Sequence, residues 1–430
     1  MNMESIIHEF QSTWAGWFLS CPMTVQLTGV FLVSWAAAWI INKHSRLISA
    51  WFDKLVKNIP NTVSPEEYLL RVKRVTIAES FFWTPLYGVF MAGIYYWFIQ
   101  RGGIVNIAGQ AESVSQFTKK ILIEPIGLQN FISLFIFFGF LLSSSIIDVR
   151  RRIIPDSITV TGTVIGLLLF ITPFWIQIPV THFAYLDGGD LAPLPYKIVT
   201  PQFGFSSPFS EPAWAGGAYG MLAALGCWGL FIFTQFYRPL HFSRGFYRAV
   251  ELYFIRLLRE KRNYVIIVLG LLGLAYIPLV WHYGDGAIAL SGFLGMAMGI
   301  VLVWTVRIIG RICLKMEALG FGDVTLMALI GAFTGWQAIP IIFFLSPVVG
   351  LAVGIIMLFF QARDVPFGPF LCLAAAFWIL FFDSIWNYCL PLFLFGAPMV
   401  LFILLVCLFL MAVMLYGIRK IKEILFNINN

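Results

Sequence analysis

The chain has 430 residues, 60% of them hydrophobic and 11% charged, with a formal net charge of +7. A soluble domain carries roughly 25% charged residues, so the composition excludes an ordinary soluble enzyme. It indicates a chain whose surface is mostly lipid. Runs such as Phe131–Ile147, Val265–Trp281 and Phe393–Tyr416 approach the ~20 apolar residues a helix needs to cross ~30 Å of hydrocarbon.

Taken in chain order, hydropathy predicts an all-α, polytopic helix bundle of about eleven spans. They lie near 23–41, 81–99, 129–147, 157–177, 214–236, 264–282, 287–306, 324–337, 340–360, 369–389 and 394–417. The first 20 residues lack the basic start, apolar stretch and small-residue site of a cleaved signal peptide. Loops 42–80, 148–156, 237–263, 307–323, 361–368 and 418–430 hold 24 of the 28 Lys and Arg residues. The alternate loops hold only Arg101, Lys119, Lys120 and Lys197. The positive-inside rule then puts the N-terminus outside and the C-terminus inside.

Five segments follow from this layout. Residues 1–128 are N-terminal spans with the basic loop 42–80, and 129–177 hold the first candidate acid. Residues 178–282 join an outer loop, two spans and a basic inner loop, 283–390 hold the second acid, and 391–430 are a last span and basic tail. The outer part, 178–213, is rich in Pro, Gly and Ser and is expected to lack regular structure. In 237–263 basic and apolar residues alternate at helical spacing, which suits either an amphipathic helix on the inner leaflet or a plain charge anchor. The six cysteines form no Cys-x-x-Cys pair and sit mostly in apolar runs, as small hydrophobes do.

Ionisable residues at membrane depth are costly and are candidates for function. Asp148 ends an apolar run in SSSIIDVRRRIIPD, and Asp323 begins another in EALGFGDVTLMALIGAF. Both fall at cytoplasmic span ends in the expected topology. Peptide hydrolysis needs an activated water and a polarised carbonyl. Two neighbouring carboxyls that share one proton supply both, because the ionised member takes a proton from water while the protonated one bonds the carbonyl. Such a pair needs no metal and no cofactor. Gly320 and Gly322 flank Phe321 just before Asp323, and glycine permits φ > 0 and close backbone approach. Pro155 and Asp156 head the next span, where Asp156 reads as a helix N-cap. Asp383, in AFWILFFDSIWNY, reads as an interfacial residue. His182, His241 and His282 have no metal-ligand spacing.

These motifs together resemble the type IV prepilin peptidase family. Asp148-Val-Arg-Arg-Arg-Ile-Ile-Pro155-Asp156 is similar to the family's first motif, and Gly320-Phe321-Gly322-Asp323 to its second. Val365-Pro366-Phe367-Gly368-Pro369-Phe370 is similar to a third, through Pro366 and Gly368. The resemblance covers roughly 129–175 and 283–390. It implies catalytic Asp148 and Asp323 and removal of the basic leader from type IV prepilins or type II secretion pseudopilins. It further implies a bacterial inner membrane with an anionic inner leaflet, and no nucleic-acid partner. Residues 42–80 contain no cysteine, unlike members with two Cys-x-x-Cys pairs, so N-methyl transfer is not expected. A polytopic transporter, or an inactive prepilin-peptidase-like scaffold, stays open as an alternative.

Overall fold

A computed structural model of the chain describes residues 22–56, 84–96, 124–169, 181–185, 191–195, 214–236, 261–283, 286–314, 319–359, 366–381, 385, 388–389, 393 and 397–427. Its helices are α1 (Met23–Val56), α2 (84–96), α3 (Glu124–Arg151), α4 (Asp156–Leu168), α5 (Ala218–Gln235), α6 (Lys261–Tyr283), α7 (Gly286–Leu314), α8 (Phe321–Thr334), α9 (Ala338–Phe359), α10 (Gly368–Leu380) and α11 (Ala397–Asn427). Seven of them are long and apolar enough to cross a membrane, and α4, α8 and α10 are shorter apolar helices. The protein is a helical, multi-pass membrane protein, as its composition requires.

Two sequence expectations change here. Helices outrun the hydropathy windows: α1 continues to Val56 and α7 to Leu314. Hydropathy marks where lipid begins, whereas a helix ends only where its backbone hydrogen bonds do. The expected irregular loop at 178–213 contains an antiparallel pair, β1 (Thr181–Tyr185) and β2 (Leu191–Pro195), with Thr181 opposite Pro195 and Tyr185 opposite Leu191. The first strand, THFAY, is aromatic-rich with a leading Thr, and the intervening LDGGD holds turn formers. Pro193 and Pro195 are tolerated because both strands of a two-stranded sheet are edges. The basic stretch 237–260 and Asp383 lie outside the described residues.

The chain divides into two compact units. The first comprises 1–162, 174–198 and 344–386, and the second 163–173, 199–343 and 387–430. In the first, α3 packs against α1 and α10. Lipid cannot hydrogen-bond polar groups, so these helices satisfy one another. Tyr95 donates to Gln26 Oε1 at 2.7 Å, Trp35 Nε1 to Thr84 Oγ1 at 3.2 Å and the Tyr87 hydroxyl to the Phe135 carbonyl at 3.3 Å. Aromatic rings fill between them, with Tyr95 edge-on to Phe131 at 5.1 Å and Phe90 to Phe138 at 5.4 Å.

In the second unit α7 is the hub, packing against α5, α6, α8 and α11. Helix α8 is apolar all round, and every residue from Asp323 to Thr334 is buried, the pattern of a helix enclosed by others. At its glycines the contact with α7 is backbone to backbone. A Cβ added to Gly295 would meet the Gly331 carbonyl oxygen, and one added to Gly331 would meet that of Gly295. One added to Gly299 would lie 2.5 Å from the Met327 oxygen. Gly295-Met-Ala-Met-Gly299 is a Gly-x-x-x-Gly step, which lets membrane helices approach backbone to backbone. The exposed end of α4 is closed by Tyr276, whose hydroxyl donates to the Leu167 carbonyl at 2.7 Å. Trp228 Nε1 likewise donates to the Gly270 carbonyl at 3.1 Å.

Candidate active site

Asp148 stands in the last turn of α3 and is buried, only 4% exposed. The helix closes just beyond it. Arg152 takes φ 55°, and its N–H donates to the Asp148 carbonyl at 2.7 Å. A left-handed residue wrapping back on the last turn is a common helix stop, though Arg there costs about 1 kcal/mol relative to Gly. The turn delivers Ile154 and Pro155, both buried, to the start of α4.

Pro155 and Asp156 differ slightly from expectation. The Pro155 carbonyl accepts from Ile158 N–H at 3.0 Å and from Thr159 N–H at 3.4 Å. Pro155 therefore occupies the cap position, and Asp156 is the exposed first residue of the helix. A carboxylate in the first turn still complements the helix dipole. The helix thus starts one residue earlier than the sequence suggests, with Pro at the cap, where its missing N–H costs no helical hydrogen bond.

Residues Pro366–Phe370 of the third motif start α10. Phe367 caps it, accepting from Phe370 N–H at 3.0 Å and Leu371 N–H at 3.2 Å, and Pro369 sits in the first turn, where its missing N–H does no harm. Gly368 is the first residue of α10, and its N–H donates to the Asp148 carboxylate. That carboxylate thus sits at the positive end of a second helix, α10, capping it from outside. The fit is tight. A Cβ on Gly368 would land on Asp148 Oδ2 and lie 2.9 Å from Ile154 Cδ1. Asp148, Ile154 and Gly368 thus meet within the first unit. Pro366 lies just before the cap and is half-buried.

Asp323 belongs to the second unit, at the third position of α8, and is 8% exposed. Its Oδ2 accepts from the Gly320 N–H at 3.1 Å, and Thr325 Oγ1 donates to the Gly322 carbonyl at 3.1 Å. The Gly-x-Gly-Asp motif is thus a self-capped helix start. Neither glycine uses the positive φ that glycine permits: Gly320 has φ −70° and ψ 157°, and Gly322 lies inside the helix. Helix geometry at Gly322 and extended backbone at Gly320 suffice to bring the Gly320 N–H onto its own Asp three residues on.

The two aspartates share one design. Each is a buried carboxylate fixed by a backbone N–H at the start of a short helix, α10 for Asp148 and α8 for Asp323. The sequence missed the close approach of Gly368 to Asp148 and Ile154, for which a motif gives no distance. It also missed the α7–α8 glycine contact, whose signal, Gly295-x-x-x-Gly299, stood in the sequence.

The two glycines make opposite predictions. At Gly320 nothing lies nearer than 3.5 Å to an added Cβ, and the backbone suits any residue. Gly320→Ala should fold normally and keep activity within a fewfold. Gly368→Ala must displace the Asp148 carboxylate or Ile154, and, with Asp148 in the catalytic role proposed below, a shift of about 1 Å lowers rate on the order of a hundredfold. Side-by-side turnover assays of the two purified variants check this; equal losses would contradict it.

The type IV leader peptidase family matches residues 253–355, a stretch that contains Gly320–Asp323 but not Asp148. Among curated proteins, the chain is 34% identical over 128 residues to a prepilin leader peptidase/N-methyltransferase of Aeromonas hydrophila, covering 27% of this chain and 44% of that one. It is 33% identical over 119 residues to the protein of that name from Pseudomonas aeruginosa (25% and 41%). It is 36% identical over 123 residues to that of Aeromonas salmonicida (28% and 38%). The chain therefore spans less than half the length of these relatives in each comparison. No solved structure matches it.

Proposed function

We propose that the chain, whose residues 253–355 match the type IV leader peptidase family, is an aspartic endopeptidase of the bacterial inner membrane. It removes the basic leader of type IV prepilins or type II secretion pseudopilins at the cytoplasmic face. Asp148 and Asp323 work as one pair. One carboxylate takes a proton from water, the other, protonated, bonds the scissile carbonyl, and the water oxygen attacks the carbonyl carbon. The proton then passes to the leaving amine. The two carboxyls titrate together, so neither has a fixed role. No methyl-transfer step is part of the proposal, and Pro155, Asp156, Pro366, Gly320, Gly322 and Gly368 support the pair.

The observation that carries the proposal is the buried Asp323 carboxylate at a self-capped helix start inside the family-matched stretch. Asp148, at a matching start, supports it. The test uses the full chain in detergent micelles with a synthetic peptide, a short basic leader joined to an apolar segment, read by mass spectrometry. Cleavage at the junction of the two is expected. An intact peptide beside a folded, monodisperse protein overturns the proposal.

A further inference from the structure

Helices α7 and α8 run antiparallel in a fixed register. Gly295 meets Gly331 and Gly299 meets Met327, so a step of four up α7 matches a step of four down α8. Carried two turns further, the register brings residue 307 level with the start of α8, and there Arg307 lies over the Phe321 ring, 5.7 Å from guanidinium carbon to ring centroid. Phe321 lies between the two glycines of Gly-Phe-Gly-Asp and is the first residue of α8. The cation of α7 is thus stacked on the one large side chain between the two motif glycines.

We propose that Arg307 is a positioning residue for Asp323. It clamps the first turn of α8 to α7 through the Phe321 ring and so holds the Gly320 N–H to Asp323 Oδ2 bond in place. This rests on the peptidase function proposed above. The N-terminal turn of a helix is its weakest, since its N–H groups have no intrahelical acceptor, and glycines on both sides of Phe321 weaken it further. A guanidinium stacks flat on an aromatic face and stays charged. The bland alternative is that Arg307 merely anchors α7 at the lipid surface. Arg311, one turn on, supplies the control: it has the same charge and helix but is exposed, whereas Arg307 is half-buried.

The experiment compares Arg307→Gln, Arg307→Lys, Arg311→Gln and Phe321→Leu in the full chain in micelles. Two readouts are used: kcat and KM on the leader peptide, and amide hydrogen exchange over 319–325. Arg307→Gln should lower kcat about five- to thirtyfold with KM nearly unchanged, and should speed exchange over 319–325. Arg307→Lys should recover part of both, Phe321→Leu should reproduce the loss from the ring side, and Arg311→Gln should match the parent protein. Equal losses in Arg307→Gln and Arg311→Gln, or unchanged exchange and kcat in Arg307→Gln, overturn the proposal. If Arg307→Gln does not fold, Phe321→Leu decides, and unchanged exchange there overturns it. A parent protein that leaves the peptide intact instead rejects the peptidase function, and exchange over 319–325 alone then decides Arg307's hold on the turn.

Discussion

Asp148→Asn and Asp323→Asn, each alone, should lower leader cleavage by about 10³-fold or more, because each removes a proton carrier that the other cannot replace. Both should leave the fold nearly intact, for a reason specific to each site. An Asn oxygen at 323 still accepts the Gly320 N–H, so the first turn of α8 keeps its closing bond. An Asn oxygen at 148 still accepts the Gly368 N–H. The exchange of a charged for a neutral acceptor costs about 1 kcal/mol. Activity and stability should thus separate, with turnover lost and the thermal unfolding midpoint within a few degrees of the parent. Asp156→Asn gives the contrast. That residue is exposed in the first turn of α4, and losing its dipole interaction costs about 0.3–1 kcal/mol, so its effect should be much milder. Near-parental turnover in either Asp148→Asn or Asp323→Asn would remove that residue from the chemistry.

Gly331→Val should unfold the second unit, or nearly so. An added Cβ there would meet the Gly295 carbonyl, and it is backbone, not a side chain, that would have to give way. Overpacking by even a methyl costs about 1–3 kcal/mol where side chains can adjust. Here α7 and α8 must separate along their whole contact, so a branched side chain should exceed that range. Gly295→Val should behave alike for the same reason. Gly226 on α5 is the control: nothing lies within 4 Å of its would-be Cβ, and Gly226→Ala should be neutral or slightly stabilising, since Ala is the better helix former. Detergent-solubilised yield and the unfolding midpoint separate these cases. Normal yield for Gly331→Val would mean the crossing is looser than its glycines indicate.

Much of the helical layout was legible because lipid imposes a long apolar run on each spanning helix. Even the short α8 could be read, since Asp323 lies in its first turn and apolar residues follow. Helix ends were less legible. Hydropathy does not register the polar continuation of α1 to Val56, and nothing about Arg predicts a left-handed residue at 152. The β1–β2 pair was hidden by Pro193 and Pro195, which usually signal irregular chain. At the site, the residue types were readable and their contacts were not. Gly320 and Gly322 looked like a flexible approach for substrate, yet they form an ordinary helix start closed by Asp323. Gly368 looked like part of a turn, yet its N–H holds Asp148. Such contacts join residues far apart in sequence, and only packing decides them.

The claim everything else depends on is that Asp148 and Asp323 act as one site. Disulfide trapping tests it most directly. In a chain whose native cysteines are replaced, Asp148→Cys and Asp323→Cys are combined and exposed to a mild oxidant in membranes. Formation of the intramolecular disulfide is expected, seen as a mobility shift reversed by reductant, because side chains close enough to share a proton bring their Cβ atoms within thermal reach of the ~4 Å that a disulfide needs. Two thiols that both react with a small alkylating reagent yet never join would contradict the pair.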